Sequence, residues 1–163
     1  MFTYNVGLVI GRFQPFHNGH LFVIQEALKH CAKVNIGVGS ANKHDTDNPY
    51  TYGQREMMLT IMASHEQLNT RIKNIFPIHD VGDDTIWLRD VTLLTPESEV
   101  VVSNNEWVNG IFESADMPVI RPHFFDREHL EGMQIRSFIR SEDPAWHARV
   151  PSYLIPYVED IKI

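Results

Sequence analysis

Apolar and polar positions alternate in two distinct rhythms along this chain. Residues 6–10 form a short apolar, β-prone run that ends at Gly11. From 18 to 30, apolar residues recur at Leu21, Ile24 and Leu28, spaced three and four apart, which predicts a helix. Residues 33–39 alternate apolar with small or polar residues and end in Gly-Ser, which predicts a strand. The same exchange continues to the C-terminus. A helix is expected over 51–67, capped by Thr51, with Met57, Met58, Ile61 and Met62 facing inward. Then come a strand over 72–78, a helix over 84–94, a strand over 99–103, a helix over 105–113 and a strand over 117–121. Helices over 131–141 and 151–160 close the chain. Such alternation predicts an α/β fold, a Rossmann-like parallel sheet with helices on both faces. Sheets of this kind bind ligands at the carboxyl ends of their strands, where the strand order reverses. The 11–20 turn, Gly39-Ser40-Ala41, Asp80 and Ser103-Asn104 all follow predicted strands and should line one crevice.

Size and composition narrow the setting. A length of 163 residues predicts a single domain over 1–163 with a real core, and 43% apolar against 21% charged residues describes a globular chain. No apolar run is long enough for a bilayer, and the N-terminus lacks the basic region of a signal peptide. Cys31 is the only cysteine, so no intrachain disulfide can form; its expected role is a small apolar residue, in keeping with a cytoplasmic setting. A net charge of −7 argues against a nucleic-acid partner, which needs a basic face, but not against a nucleotide held by a few local cations.

The densest chemistry lies in the first turn. Gly11 ends the apolar run, Arg12 and Pro15 follow, and His17 and His20 stand three apart where a helix begins. Strand, glycine turn and helix N-terminus form a layout that binds phosphate through free N–H groups and the helix dipole. Gly11 and Gly19 would allow close backbone approach. Two imidazoles and a guanidinium there point to chemistry on a polyphosphate. No further cysteine or carboxylate follows at zinc-ligand spacing, so no protein-held metal is expected. His30, His44, His65, His79, His123, His129 and His147 lack paired spacing and are expected to be structural or on the surface; Trp107 and Trp146 are expected in the core.

His17-Asn-Gly-His20 fits the H-x-G-H signature of the nucleotidyltransferase superfamily. The longer string Gly11-Arg-Phe-Gln-Pro-Phe-His-Asn-Gly-His20 resembles archaeal-type nicotinamide mononucleotide adenylyltransferases, which also form the N-terminal domain of bifunctional proteins carrying a Nudix domain. Further similarity lies in Gly39-Ser-Ala-Asn42, in Asp45-Thr-Asp-Asn-Pro-Tyr-Thr51 with Gln54-Arg-Glu-Met-Met58, in Asp80 through Trp87, in Val102-Ser-Asn-Asn105 and in Gly132-Met-Gln-Ile-Arg136. The resemblance implies transfer of the adenylyl group of ATP to nicotinamide mononucleotide, giving NAD and pyrophosphate without a covalent intermediate. It implies His17, His20, Arg12 and Arg136 as catalytic residues. Gly11, Phe13, Gly19, Ser40, Ala41, Asn104 and Arg136 would contact ATP. Asp80, Asp84 and Trp87 would form the nicotinamide site, with Asp84 equally suited to capping a helix. Mg²⁺ would enter on the ATP phosphates, and a homo-oligomer is possible.

Two departures stand out. Asp47 occupies a loop where many relatives carry arginine; Lys43, His44 and Arg55 are the candidates to compensate. Glu131 and Met133 replace the family's usual serine and threonine. These keep two alternatives open. One is a nucleotidyltransferase acting on phosphopantetheine or another small molecule, although Arg12 and Gln14 do not fit the first motif of the phosphopantetheine group. The other is an inactive nucleotide-binding sensor. No Nudix pattern occurs in the 163 residues.

Overall fold

Side-chain alternation along the strands decides the layers. The computed structural model describes residues 1–123 and 131–163. In β1 (Tyr4–Gly11), Leu8 joins one apolar cluster and Val9 the other; in β4 (Val100–Val102), Val100 and Val102 face one side and Val101 the other. The first cluster takes in the buried faces of α1 (Asn18–His30), α2 (Tyr52–His65) and α5 (Gly132–Arg140), together with Val158 of α6 (Ile155–Glu159). The second takes in those of α3 (Asp84–Leu94) and α4 (Glu106–Glu113). The sheet is thus covered on both faces, as the near-continuous apolar strands require.

With β2 (Cys31–Val38), β3 (Ile72–Pro77) and β5 (Val119–Ile120), the sheet has five parallel strands in the order β3-β2-β1-β4-β5. The chain first adds strands to one side of β1, then crosses to add β4 on the other. The reversal of strand order therefore falls between β1 and β4. The turns after these two strands, at Gly11 and Ser103, open onto the same crevice.

Two helices match their predicted limits, α1 and α3. Thr51 caps α2 with a reciprocal bond from Gln54. The inward face of α2 is Arg55, Met58, Leu59, Met62 and Ala63; Met57, expected inward, is 47% exposed because it lies one position off that stripe. The expected closing helix divides into a 3-10 turn at Ser152–Leu154 and α6, preceded by an unforeseen 3-10 segment at Pro144–Arg149. Cys31 is fully buried, with its thiol pushed up to about 11 chiefly by burial, and a Cβ at Gly7 would lie 2.6 Å from its Sγ. The cysteine is a packing residue that fixes a glycine opposite. Trp146 is buried, as expected; His129 lies outside the described residues.

Candidate active site

The H-x-x-H spacing has a local structural cause. His17 is the N-cap of α1 and His20 is the third residue of its first turn. The His17 Nδ1 accepts from the Gly19 N–H at 3.1 Å, and the His20 Nδ1 accepts from the His17 N–H at 3.2 Å. This is a capping box with imidazoles in place of the usual hydroxyl and carboxylate. A backbone amide can only donate, so each Nδ1 is unprotonated and each neutral ring carries its proton on Nε2. The rings stack with centroids 3.6 Å apart. Burial lowers the His17 pKa to about 4, and burial with repulsion from His17 holds His20 well below the ordinary imidazole range. Near neutral pH the stacked pair carries two uncharged N–H donors.

This arrangement changes the expected role of the α1 N-terminus. The Gly19 amide is occupied by His17, and the His20 and Leu21 amides donate to the His17 carbonyl. Imidazole Nε2–H groups stand where free backbone amides were expected.

The histidines open onto a compartment of about 280 Å³ with Gly11, Arg12, Phe13, Gln14, Ser103, Asn104, Gly132 and Arg136. Arg12 is exposed, whereas Arg136 is only 3% exposed. The Arg136 Nη1 donates to the Gln14 carbonyl at 2.8 Å, and its buried Nε has no partner among the described residues. Burial, Arg12 and Arg140 lower its pKa and Asp47 opposes them, so among the described residues positive charge prevails around it. Phe13 is fully buried beneath His20, with ring centroids 4.7 Å apart. Its place is under the compartment, as a support for the imidazole. A Cβ at Gly11 would lie 2.9 Å from the Phe13 ring, so Gly11 makes room for that ring and not directly for phosphate. Neither Gly19 nor Ala41 lines either main compartment of the crevice; the Ala41 N–H donates to the Ile78 carbonyl.

A second compartment of about 510 Å³ adjoins the first through Ile10, Gly11, Arg12 and Asn105. Its other lining includes Ser40, Asp80, Asp83, Asp84, Trp87 and Trp107. Trp87 is only 5% exposed and packs on Phe112; Trp107, expected in the core, is 50% exposed and lies 5.0 Å from Trp87. Position within α4 explains the error: the buried face of that helix is Val108, Ile111 and Phe112. The second tryptophan therefore adds an aromatic wall that the sequence reading missed. Asp83 is the cap of α3, accepting from Thr85 and Ile86, which leaves the exposed Asp84 free of that task. Asp80 accepts from the Ser40 hydroxyl at 2.9 Å and pairs with Lys43 at 2.9 Å.

The departures resolve individually. Asp47 is exposed, and its charge is close enough to Arg136 to favour the charged guanidinium; its loop is pinned where Arg140 donates to the Thr46 carbonyl at 2.5 Å. His44 bonds the Pro49 carbonyl. Glu131 occupies the cap position of α5 without a capping bond and is exposed, as is Met133. The N-terminal turn of α5 thus reaches the first compartment at Gly132 without a side-chain cap. Gln14 was not foreseen as a functional position. Its amide makes two 2.9 Å bonds to the Tyr50 backbone and ties the first turn to the 42–51 loop. Its signal in the sequence was a polar side chain between Phe13 and Pro15 in the turn that also carries Arg12 and His17.

Among the described residues no group of three or more histidine, cysteine or acidic side chains could hold a metal ion. A divalent cation would fit here through the ligand's own phosphate oxygens. No described helix is long and apolar enough to cross a membrane.

The cytidylyltransferase-like family model matches residues 8–143. A nicotinamide-nucleotide adenylyltransferase of Haloarcula marismortui is 35% identical over 156 residues, covering 95% of this chain and 81% of the relative. One from Methanococcus aeolicus is 38% identical, covering 94% and 88%. In fold, the chain is similar to the crystal structure of a bifunctional NMN adenylyltransferase/ADP ribose pyrophosphatase from Francisella tularensis, with a TM-score of 0.80 at 19% identity. That match covers 98% of this chain and 51% of the other, so the chain spans about half the length of the bifunctional protein. A second structure of that protein, complexed with AMP and a Mn ion, matches with a TM-score of 0.77.

Proposed function

Because the chain belongs to the cytidylyltransferase-like family and, within it, to the nicotinamide-nucleotide adenylyltransferases, we propose that it joins ATP and nicotinamide mononucleotide into NAD, releasing pyrophosphate. The observation that carries this reading is the crevice itself. A compartment of imidazole N–H donors and guanidinium groups meets a compartment of tryptophan faces and carboxylates, and Arg12 lines both.

In the first compartment the triphosphate of ATP lies against the His17 and His20 Nε2–H groups, Arg136 and the uncapped turn of α5. In the second, the cationic pyridinium stacks against the Trp107 and Trp87 wall, with Asp84 and Asp80 as carboxylate neighbours and acceptors for the carboxamide. Ser40 positions Asp80, and Asn104 contacts the adenosine side. Arg12, which lines both compartments, contacts the phosphate of the mononucleotide and the ATP phosphates at the junction.

A phosphate oxygen of the mononucleotide attacks the α-phosphorus of ATP. A new P–O bond forms as the bond to the bridging oxygen of the β-phosphate breaks, and pyrophosphate leaves with that electron pair. The nucleophile is already an anion, so no general base is needed. Catalysis consists of alignment and of donors aimed at oxygens that gain charge. The imidazoles suit this because their protons are fixed on Nε2 before the ligand arrives. Among the described residues no side-chain cluster would hold Mg²⁺, which would enter on the ATP phosphates and would offset charge on the leaving pyrophosphate. We place the chain as a single adenylyltransferase unit in the cytoplasm.

The test is pyrophosphate release with ATP and Mg²⁺, offering nicotinamide mononucleotide, nicotinate mononucleotide and phosphopantetheine separately. Turnover with a pyridine mononucleotide, abolished by chelator, is expected. Turnover with phosphopantetheine alone overturns the acceptor, and ATP binding without turnover on any of them overturns the enzyme reading in favour of a sensor.

A further inference from the structure

Arg55 is fully buried, yet among the described residues every hydrogen bond of its guanidinium ends on a backbone carbonyl. Its Nη1 donates to the carbonyls of Arg12 at 2.8 Å and Gly39 at 2.7 Å, its Nη2 to that of Ser40 at 3.3 Å, and its Nε to that of Thr51 at 3.3 Å. Burial lowers its pKa to about 10, which leaves it charged at neutral pH. Among the described residues no carboxylate bonds to it, although the charge of Asp80 favours its protonated form; a buried charge held by carbonyls alone is costly and gains from a further anion.

Three of these carbonyls, those of Arg12, Gly39 and Ser40, belong to the two turns that follow β1 and β2, and the fourth, that of Thr51, belongs to the cap of its own helix. Immediately after two of them the backbone enters the left-handed region, at Phe13 (φ 53°) and Ser40 (φ 49°). In a trans peptide the C=O and N–H point in opposite directions. Turning the Arg12 and Gly39 carbonyls inward onto the guanidinium therefore turns the Phe13 and Ser40 N–H groups outward, on segments that line the crevice. Among the described residues neither amide donates to another group of the chain. Arg55 lies at the point where one side chain holds both turns and directs both donors.

We propose that Arg55 is a positioning residue for the nucleoside triphosphate. It sets the spacing of the two turns, aims the Phe13 and Ser40 amides at the ligand, and its own charge is balanced when the polyanion arrives. This inference rests on the adenylyltransferase reading but is tested by ATP binding alone. The experiment compares the wild type, R55M and R55K by calorimetric titration with ATP and with inorganic pyrophosphate. Thermal melts and the KM for ATP accompany each titration.

R55M keeps the volume and removes the charge; ATP affinity is expected to fall on the order of 100-fold, with pyrophosphate affinity falling in parallel. R55K keeps the charge but cannot reach all four carbonyls, and should recover part of the loss, to about 10-fold below wild type. A purely structural residue would lower the melting temperature while leaving the ATP Kd and KM of the folded protein unchanged; that result for R55K overturns the proposal, even if R55M fails to fold. Wild-type protein that binds neither ligand overturns it as well. Wild type that binds ATP but shows no turnover with nicotinamide mononucleotide sinks the reaction, while weaker ATP binding by R55K still supports the positioning role.

Discussion

The two compartments of the crevice share a wall but have opposite chemistry. The one beneath His17 and His20 holds donors and cations: two imidazole N–H groups, Arg12 and the nearly buried Arg136. The one beside Trp87 and Trp107 holds acceptors and aromatic faces, with three aspartates in its lining. A polyanion fits the first, and a cationic ring carrying an amide fits the second. The difference teaches how a chain of net charge −7 handles a highly charged ligand. Local placement of a few donors outweighs the overall balance, because such fields act over roughly one Debye length, about 8–10 Å. Among the described residues, Arg12 is the charged side chain that lines both compartments and brings the two chemistries together.

The largest expected break in this arrangement is His20→Ala. It removes one donor to the reacting phosphates and should lower kcat by about 10²–10⁴. Loss of the capping bond to the His17 N–H should cost only about 1 kcal/mol of stability. Steady-state pyrophosphate release with a parallel melt measures both; unchanged kcat would remove the histidine pair from the reaction.

Arg12→Ala tests the shared wall. KM should rise for both substrates, by about 10–100-fold each, since a charge-assisted contact is lost on either side. An effect confined to one substrate would assign Arg12 to one compartment.

The tryptophans sharpen the aromatic side. Trp107→Ala should raise KM for the mononucleotide about 10-fold and leave ATP nearly untouched, since cation–π and stacking contacts contribute about 1–2 kcal/mol. Trp87→Ala empties a core position against Phe112 and should cost about 3–5 kcal/mol of stability. Denaturant melts and substrate-resolved kinetics separate the two; equal loss of stability in both would return Trp107 to a packing role.

The smallest effect is on stability in acid. The folded His17 titrates near 4 against an unfolded value of about 6.5. Between those values the unfolded chain binds the proton and the folded chain does not. Stability is complete above about pH 6.5 and falls as pH drops toward 4, by at most a few kcal/mol for this residue. His17→Asn keeps a good N-cap and should flatten that slope in melts between pH 4.5 and 7. A slope unchanged by the substitution would show that other groups set the acid response.

The repeating units of the fold were legible because both rhythms are local. The spacing of Leu21, Ile24 and Leu28 is enough for α1, and Thr51 with Gln54 is enough for the start of α2. Met57 was misplaced because three clustered methionines do not reveal which lies on the packed stripe. Trp107 was misplaced for a related reason. A large apolar side chain favours burial in general, but α4 already fills its core face with Val108, Ile111 and Phe112.

The amino-acid order by itself determined the α/β alternation, the placing of the chemistry after strands, and the concentration of imidazole and guanidinium in the first turn. These depend on neighbours within a few residues. Tertiary structure alone decided that Arg55 grips two turns, that Arg136 sits buried beside Gln14, and that two tryptophans from different helices form one wall. Those contacts join residues from about 16 to more than 120 positions apart in sequence. No local propensity encodes them; the folded sheet fixes them by bringing the carboxyl ends of its strands together.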